Sequence, residues 1–338
     1  MGKNSLAEAS TISLAGLHNI IKLDIEQVFE MVTKEYQYNI PLLESVRYAL
    51  DVKGKMKRPL LLYLCYLCFK DQIDDNLKYV SSSIEFIHTA SLIHDDIIDG
   101  GMIRRNRDSL FKKYGIPTSI LAGDFLIFLS SRMMANIEDY HGNVLRILNI
   151  MNETYCKMCI GQTLEEYLIG NIHVELDKYL EVIQLKTAIF FKCICEAAGL
   201  LAGADDYQIQ ALVSYGINLG IAYQIRDDIL GFIETEYTIG KSSNSDAERR
   251  LVTLPIILAY RNSSAHYKTL LECHYKNTAP KDISLVRTIL NDTNAINETI
   301  FIVNQYISEA CNSLSILRDS EAKSELISFA NSLSIGGY

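Results

Sequence analysis

Apolar residues recur at i, i+3, i+4 and i+7 through residues 60–69, 84–98, 120–134, 176–199 and 208–233. That spacing predicts helices with one face turned inward. Clusters of Gly and polar residues at 51–57, 100–109, 199–206 and 238–250 separate these runs. No alternating strand pattern, solenoid repeat, low-complexity tract or linker interrupts the series. The expectation is an all-α fold, a single large helical bundle over residues 1–338, with ten or more helices and no internal boundary.

Composition agrees with that reading. Apolar residues are 49% and charged residues 22% of the 338, Pro occurs five times and Trp not at all. Such a chain can bury a large core and carries few helix breakers. The net charge of −9 argues against a nucleic-acid binder, which would show a basic face. The N-terminal MGKNSLAEASTISLAG lacks the basic start and apolar core of a signal peptide. No run reaches the length of a membrane span, because Asp124 breaks the best stretch, 115–130. A cytoplasmic protein is therefore expected, with its eight Cys reduced. Cys65/Cys68 and Cys156/Cys159 have C-x-x-C spacing, but both pairs sit in apolar helical patterns. Core packing rather than zinc is expected for them.

Two acidic motifs change the picture. HDDIIDGGMIRR places Asp95, Asp96 and Asp99 at the end of an apolar helix. Asp95 and Asp99 stack one turn apart, with Asp96 about 100° round the axis. An acidic cluster alone is more often a solvated helix end. Here Gly100 and Gly101 stop the helix, and Arg104 and Arg105 follow. Carboxylates and guanidinium groups brought together suit a metal-bridged diphosphate. The second motif, QIRDDILGF, puts Asp227 and Asp228 at the end of another long helix, with Gln224 one turn before Asp227. Two such ends suggest carboxylates facing one another in a bundle interior. Lys55, Lys57 and Arg58 precede Pro59, a first-turn residue, so they lie near an anion-favouring helix N-terminus. Lys186-Thr187 and Gly240-Lys241 offer further phosphate donors. His88, two turns before Asp95 on the same face, reads alone as a satisfied core histidine.

In this order the motifs resemble the trans-isoprenyl diphosphate synthases. The marks are GKMKRP from Gly54, EFIHTASLIHDDIID, Arg104-Arg105, AGDFL from Ala122, Gly161-Gln162, Lys186-Thr187, QIRDD, Gly240-Lys241 and VTLP. The resemblance implies an isoprenoid-synthase-like bundle with a central cavity, packed as a homodimer. It implies head-to-tail joining of isopentenyl diphosphate to an allylic diphosphate. Lys55, Arg58, His88 and Arg105 would hold the first substrate. Arg104, Lys186, Thr187, Gln224 and Lys241 would hold the second. Asp95, Asp99 and Asp227 would bind about three Mg²⁺, with Asp96 and Asp228 assisting. No protein base is assigned, and the apolar product would partition into a membrane.

The sequence departs from the family pattern at four places. Met56 stands for a basic residue, Asn106 for a Gly, Gly231 for an Asp, and Leu251 for a Lys, with Arg249 and Arg250 adjacent. The chain-length pocket is expected along the helix bearing Ile84, Ile87, Ala90 and Ser91. Ala90 and Ser91 are small, so a product of C30 or longer is expected, with geranylgeranyl diphosphate (C20) the alternative. Two other readings use the same residues. A class I terpene cyclase would not need Lys55, Arg58 and His88, and a non-catalytic partner subunit would explain Met56, Gly231 and Leu251.

Overall fold

The computed structural model describes residues 14–36, 38, 40–51, 56–139, 142–233, 249–276, 278 and 282–335. Among these are fifteen α-helices. The first half carries α1 (Leu14–Thr33), α2 (Pro41–Leu50), α3 (Lys57–Leu67), α4 (Leu77–Asp99), α5 (Leu110–Tyr114), α6 (Ile116–Met133) and α7 (Val144–Glu166). The second half carries α8 (Leu176–Ile183), α9 (Ile189–Ala202), α10 (Asp206–Ile233), α11 (Leu254–Asn262), α12 (Ala265–Tyr275), α13 (Ile283–Asp292), α14 (Ala295–Ser313) and α15 (Glu321–Asn331). The helical periodicity read from the sequence falls within α3, α4, α6 and α8 to α10. One apolar core runs through all of these, from Leu17 to Leu333.

Three local departures from the periodicity position the site. The run 176–199 was expected as one helix, but it is split into α8 and α9 by a π-turn at Gln184–Ala188. Gly199 does not end α9. Gly203, at φ +67°, does, because only glycine adopts that left-handed cap freely. A two-stranded hairpin, β1 (Ile103–Arg104) and β2 (Arg107–Asp108), follows α4 where no strand was expected. Its turn residues Arg105 and Asn106 have φ +50° and +61°. Both central residues of such a tight hairpin turn need positive φ, and Asn tolerates it. Asn106 therefore meets a backbone demand that Gly, the residue of the pattern the sequence resembles, would also meet.

The cysteine expectation holds for one pair and fails for the other. Cys65 in α3 and Cys68 at its C-cap are buried, whereas Cys156 and Cys159 are exposed on α7. Their apolar neighbours line only part of α7, and these two thiols fall on its outer face. Helix α6 corrects a second expectation. By length and composition residues Ile116–Asn136 would suffice to cross a bilayer. One face of α6 packs on α4: the Ser83 hydroxyl donates to the Ser130 carbonyl (2.9 Å). The other face leaves Leu121 and Phe128 exposed, and Leu145 and Ile160 are exposed on α7.

Candidate active site

Helix α4 ends in the first acidic motif because Gly100 takes φ +67° and caps it. Asp96 is buried, and Arg104 from the hairpin holds it in a fork: Nε donates to Oδ1 and Oδ2 (2.8 and 2.7 Å), Nη2 to Oδ1 (2.6 Å). This is a buried, bidentate, charge-assisted pair. Gly101 lies so close that an added Cβ would meet Asp96 Oδ1 at 3.0 Å. Asp95 is half-buried. Burial raises its carboxyl above the usual range, opposed by Lys186 and reinforced by Asp99. Asp99 is more open and forms an ion pair with Arg249 Nη1 (2.7 Å).

The π-turn sets Lys186 in the field of the first acidic motif and Thr187 against the helix of the second. A π-turn inserts one residue into a helix and re-aims its neighbours. Here Lys186 pairs with buried Glu165 of α7, while the adjacent Thr187 hydroxyl donates to Gln224 Oε1 of α10 (2.6 Å). Burial pulls the Lys186 ammonium down, but Glu165, Asp95 and Asp99 outweigh it and hold it above its ordinary value. Gln224 Nε2 donates to Asp228 Oδ1 (2.8 Å), and Tyr179 donates to Asp228 Oδ2 (2.6 Å). Asp228 is thus buried and bonded, while Asp227 beside it is exposed.

Two glycines make this junction possible. A Cβ on Gly161 of α7 would sit 2.4 Å from the Lys186 nitrogen. One on Gly220 of α10 would sit 2.5 Å from Ala188 Cα. The π-turn is gripped between two helix backbones that only glycine lets approach. Gly123 of the AGDFL motif plays a similar part, since a Cβ there would lie 2.2 Å from His94 Nε2. The His94 ring fits that notch, 3.7 Å from Asp124.

A second cluster lies deeper. Arg58, at the start of α3, donates from Nη1 to His88 Nε2 (3.0 Å). Its guanidinium lies 5.2 Å from the Phe191 ring centroid and 5.9 Å from that of Tyr223. Burial, then Arg58, Arg105 and Arg104, hold the His88 pKa well below normal. His88 is therefore a neutral acceptor at this point. Glu85, one turn earlier on α4, has its pKa pushed up to about 7 by burial, against the pull of Arg58 and Arg105. The sequence reading gave Glu85 no role. Its place one turn before His88 within the same motif was the available signal. Lys55 and Lys241 lie outside the described residues.

The remaining departures also have structural accounts. Met56 caps α3 at φ +44° and packs against the core. Leu251 is buried and bridges to Ile169, so it points into the framework. Arg249 reaches Asp99 and Glu166 (both 2.7 Å), whereas Arg250 Nε donates to the His274 carbonyl (2.8 Å). Gly231 lies in the last turn of α10. Along α4, Ile84, Ile87 and Ala90 are buried, and half-buried Ser91 donates back to the His88 carbonyl (2.9 Å). Ala90 falls on the side of α4 that carries Ser83 and His94, both in contact with α6.

The polyprenyl synthetase family model matches residues 40–293. The chain is 29% identical to heptaprenyl diphosphate synthase component 2 of Bacillus subtilis, over 93% of this chain and 88% of that one. It is 30% identical to a geranylgeranyl diphosphate synthase of Methanosarcina mazei, over 86% and 88% of the two chains. Its fold matches the crystal structure of a polyprenyl synthase from Caulobacter crescentus complexed with calcium and isoprenyl diphosphate. The TM-score is 0.85 at 26% identity, covering 95% of this chain and 97% of that one.

Proposed function

From the premise that this chain belongs to the polyprenyl synthetase family and is a prenyl transferase, we propose that it elongates an allylic diphosphate with isopentenyl diphosphate. The observation that carries this reading is the junction at the π-turn. There Lys186, within electrostatic reach of Asp95, stands next to Thr187, which donates to the helix of Asp227.

The residues present fit Mg²⁺. Among the described residues no three Asp, Glu, His or Cys are gathered closely enough to hold a metal on protein ligands alone. Mg²⁺ suits such a site, because it takes one or two carboxylates and completes its octahedron with substrate phosphate and water. Asp95, Asp99 and Asp227 would hold about three such ions between them, and when bound these would neutralise a diphosphate leaving group. Asp96 and Asp228, already bonded, fix the helix ends rather than offer free oxygens.

The protein's own groups do the rest. Lys186, Arg104 and Arg249 take up negative charge as pyrophosphate departs. Arg58, Arg105 and neutral His88 hold the diphosphate of isopentenyl diphosphate, so its double bond meets the allylic cation. The apolar walls of α4 and α9 keep water from that cation. Departing pyrophosphate accepts the released proton, and no side chain acts as base. Two copies would pack through the exposed apolar side chains of α6 and α7, Leu121, Phe128, Leu145 and Ile160.

Small Ala90 and Ser91 support a product of C30 or longer, a range that includes the heptaprenyl name of the B. subtilis relative. The second reading is the shorter C20 product, the size carried in the name of the M. mazei relative. It requires a large side chain from another helix, and Tyr155 of α7, its hydroxyl buried beside Ser130 of α6, is the candidate. A large ring there would close the cavity from another wall. Incubation with radiolabelled isopentenyl diphosphate, Mg²⁺ and primers of several lengths tests both levels. Elongation by the purified chain, abolished in Asp95→Ala, supports the activity, and product size decides the length. No elongation with any primer would remove the reading in favour of a cyclase or a non-catalytic subunit.

A further inference from the structure

The three cations near the first acidic motif are not equally committed. Arg104 is locked on buried Asp96, and Lys186 on buried Glu165. Arg249 differs. Its partners Asp99 and Glu166 keep 32% and 43% of their side-chain surface exposed, so water can replace it there at small cost. Its backbone, in contrast, is fixed. The next residue, Arg250, holds φ +59°, its carbonyl accepts from Gly170 (2.9 Å), and Leu251 bridges Ile169. The guanidinium therefore swings from a rigid base just beyond the end of α7 and clasps the end of α4.

Asp99 Oδ1 accepts the Arg249 guanidinium at 2.7 Å. A Mg²⁺ on the same oxygen would lie about 2.1 Å away, so two unscreened positive charges would crowd one carboxylate. Resting on the proposed activity, we infer that Arg249 makes metal binding conditional on diphosphate. It competes with the metal for Asp99, and it yields when a diphosphate oxygen offers its fork a second acceptor. Arg249 binds the diphosphate in this exchange, and the reach of its planar fork to both acids is what lysine would lack.

The exchange predicts opposite signs for two affinities. Mn²⁺ alone, titrated by electron paramagnetic resonance, should bind Arg249→Gln about ten-fold more tightly than the wild type. Pyrophosphate titrated with Mg²⁺ present should bind Arg249→Gln about ten-fold more weakly. Arg249→Lys should fall between on both, and it carries the test if the glutamine variant does not fold. Arg250→Gln should leave Mn²⁺ affinity unchanged. In Arg249→Gln/Asp99→Asn the gain in Mn²⁺ affinity should vanish. Equal Mn²⁺ affinity in wild type and Arg249→Gln would overturn the competition. A gain that survives Asp99→Asn would overturn it as well, and unchanged pyrophosphate affinity would overturn the exchange. Failure of the wild type to elongate any primer would remove the activity, while these affinities still report on Arg249 itself.

Discussion

Gly161→Ala isolates the π-turn. In an ordinary helix this substitution stabilises by about 1 kcal/mol, because Ala restricts the unfolded chain and favours helix. Here the new Cβ would stand 2.4 Å from the Lys186 nitrogen, 2.7 Å from the Leu185 carbonyl carbon and 2.8 Å from Lys186 Cα. Ordinary contact begins near 3.4 Å, so the backbones must part by 3.4 − 2.4 = 1.0 Å. All three obstructing atoms are main chain and cannot rotate away. Overpacking of this kind costs about 1–3 kcal/mol, which outweighs the propensity gain and lowers Tm by a few degrees. The rate should fall further than the stability. A displacement of about 1 Å at a positioning group can cost about 100-fold in rate, and Lys186 and Thr187 both ride on the turn. Gly199→Ala is the control, since the atoms nearest its Cβ are all side chain, Ile209 and Leu212 at 3.2 Å and Ala204 Cβ at 3.9 Å. It should shift Tm slightly and leave turnover intact. Thermal denaturation and a steady-state elongation assay on both variants decide the matter. Turnover of folded Gly161→Ala within two-fold of wild type would refute the claim that this close approach positions Lys186.

Arg58→Ala should raise the apparent KM for isopentenyl diphosphate about ten-fold to a hundred-fold, the loss of one charge-assisted hydrogen bond. The KM for the allylic primer should move much less, and equal shifts would mean the two sites are exchanged. Glu85 should make stability pH-dependent: its folded pKa of about 7 stands above the 4.5 of the unfolded chain. The fold thus favours the protonated form, and the stability this gives is complete below pH 4.5 and lost as pH rises through 7. The difference between 4.5 and about 7 corresponds to on the order of 3 kcal/mol. Glu85→Gln should therefore raise Tm over wild type at pH 8 and match it near pH 4.5, and a constant difference across that window would refute the assignment. Ala90→Phe should shorten the main product to about C15–C20 while turnover persists, since it overpacks the α4 wall and leaves the acidic motif alone. If the product is unchanged there but lengthens in Tyr155→Ala, α7 sets the limit instead.

The helices were legible because apolar spacing is a local property. Residues 208–233 read as a helix, and the structure gives Asp206–Ile233. The acidic ends were legible because charge at the end of an apolar run stands out. The π-turn was not, because nothing in Gln184–Ala188 breaks a helix. The backbones that grip it belong to Gly161 and Gly220, on other helices. The hairpin after α4 was hidden by its length of two residues per strand. Arg249 could be named only as adjacent to the departure at Leu251. Which of three neighbouring side chains reaches the cleft depends on the left-handed turn at Arg250 and the bridge at Ile169. Glu85 was visible as a letter, but its significance is burial, which sequence does not give.

The bond from Thr187 to Gln224 has a directional consequence. Asp228 can only accept, so the Gln224 amide must turn its NH₂ toward that carboxylate and its oxygen toward Thr187. The threonine hydroxyl has one hydrogen, and Gln224 takes it. What remains on Thr187 is a pair of lone pairs. So long as Tyr179 and Asp228 keep the amide oriented, the hydroxyl presents an electron-rich edge to whatever comes beside it. It would attract a carbon losing electrons rather than donate to a phosphate oxygen, the role the sequence leads one to expect of Thr187. A buried tyrosine on α8 thereby sets the polarity of an oxygen on the π-turn, two hydrogen-bonded side chains away.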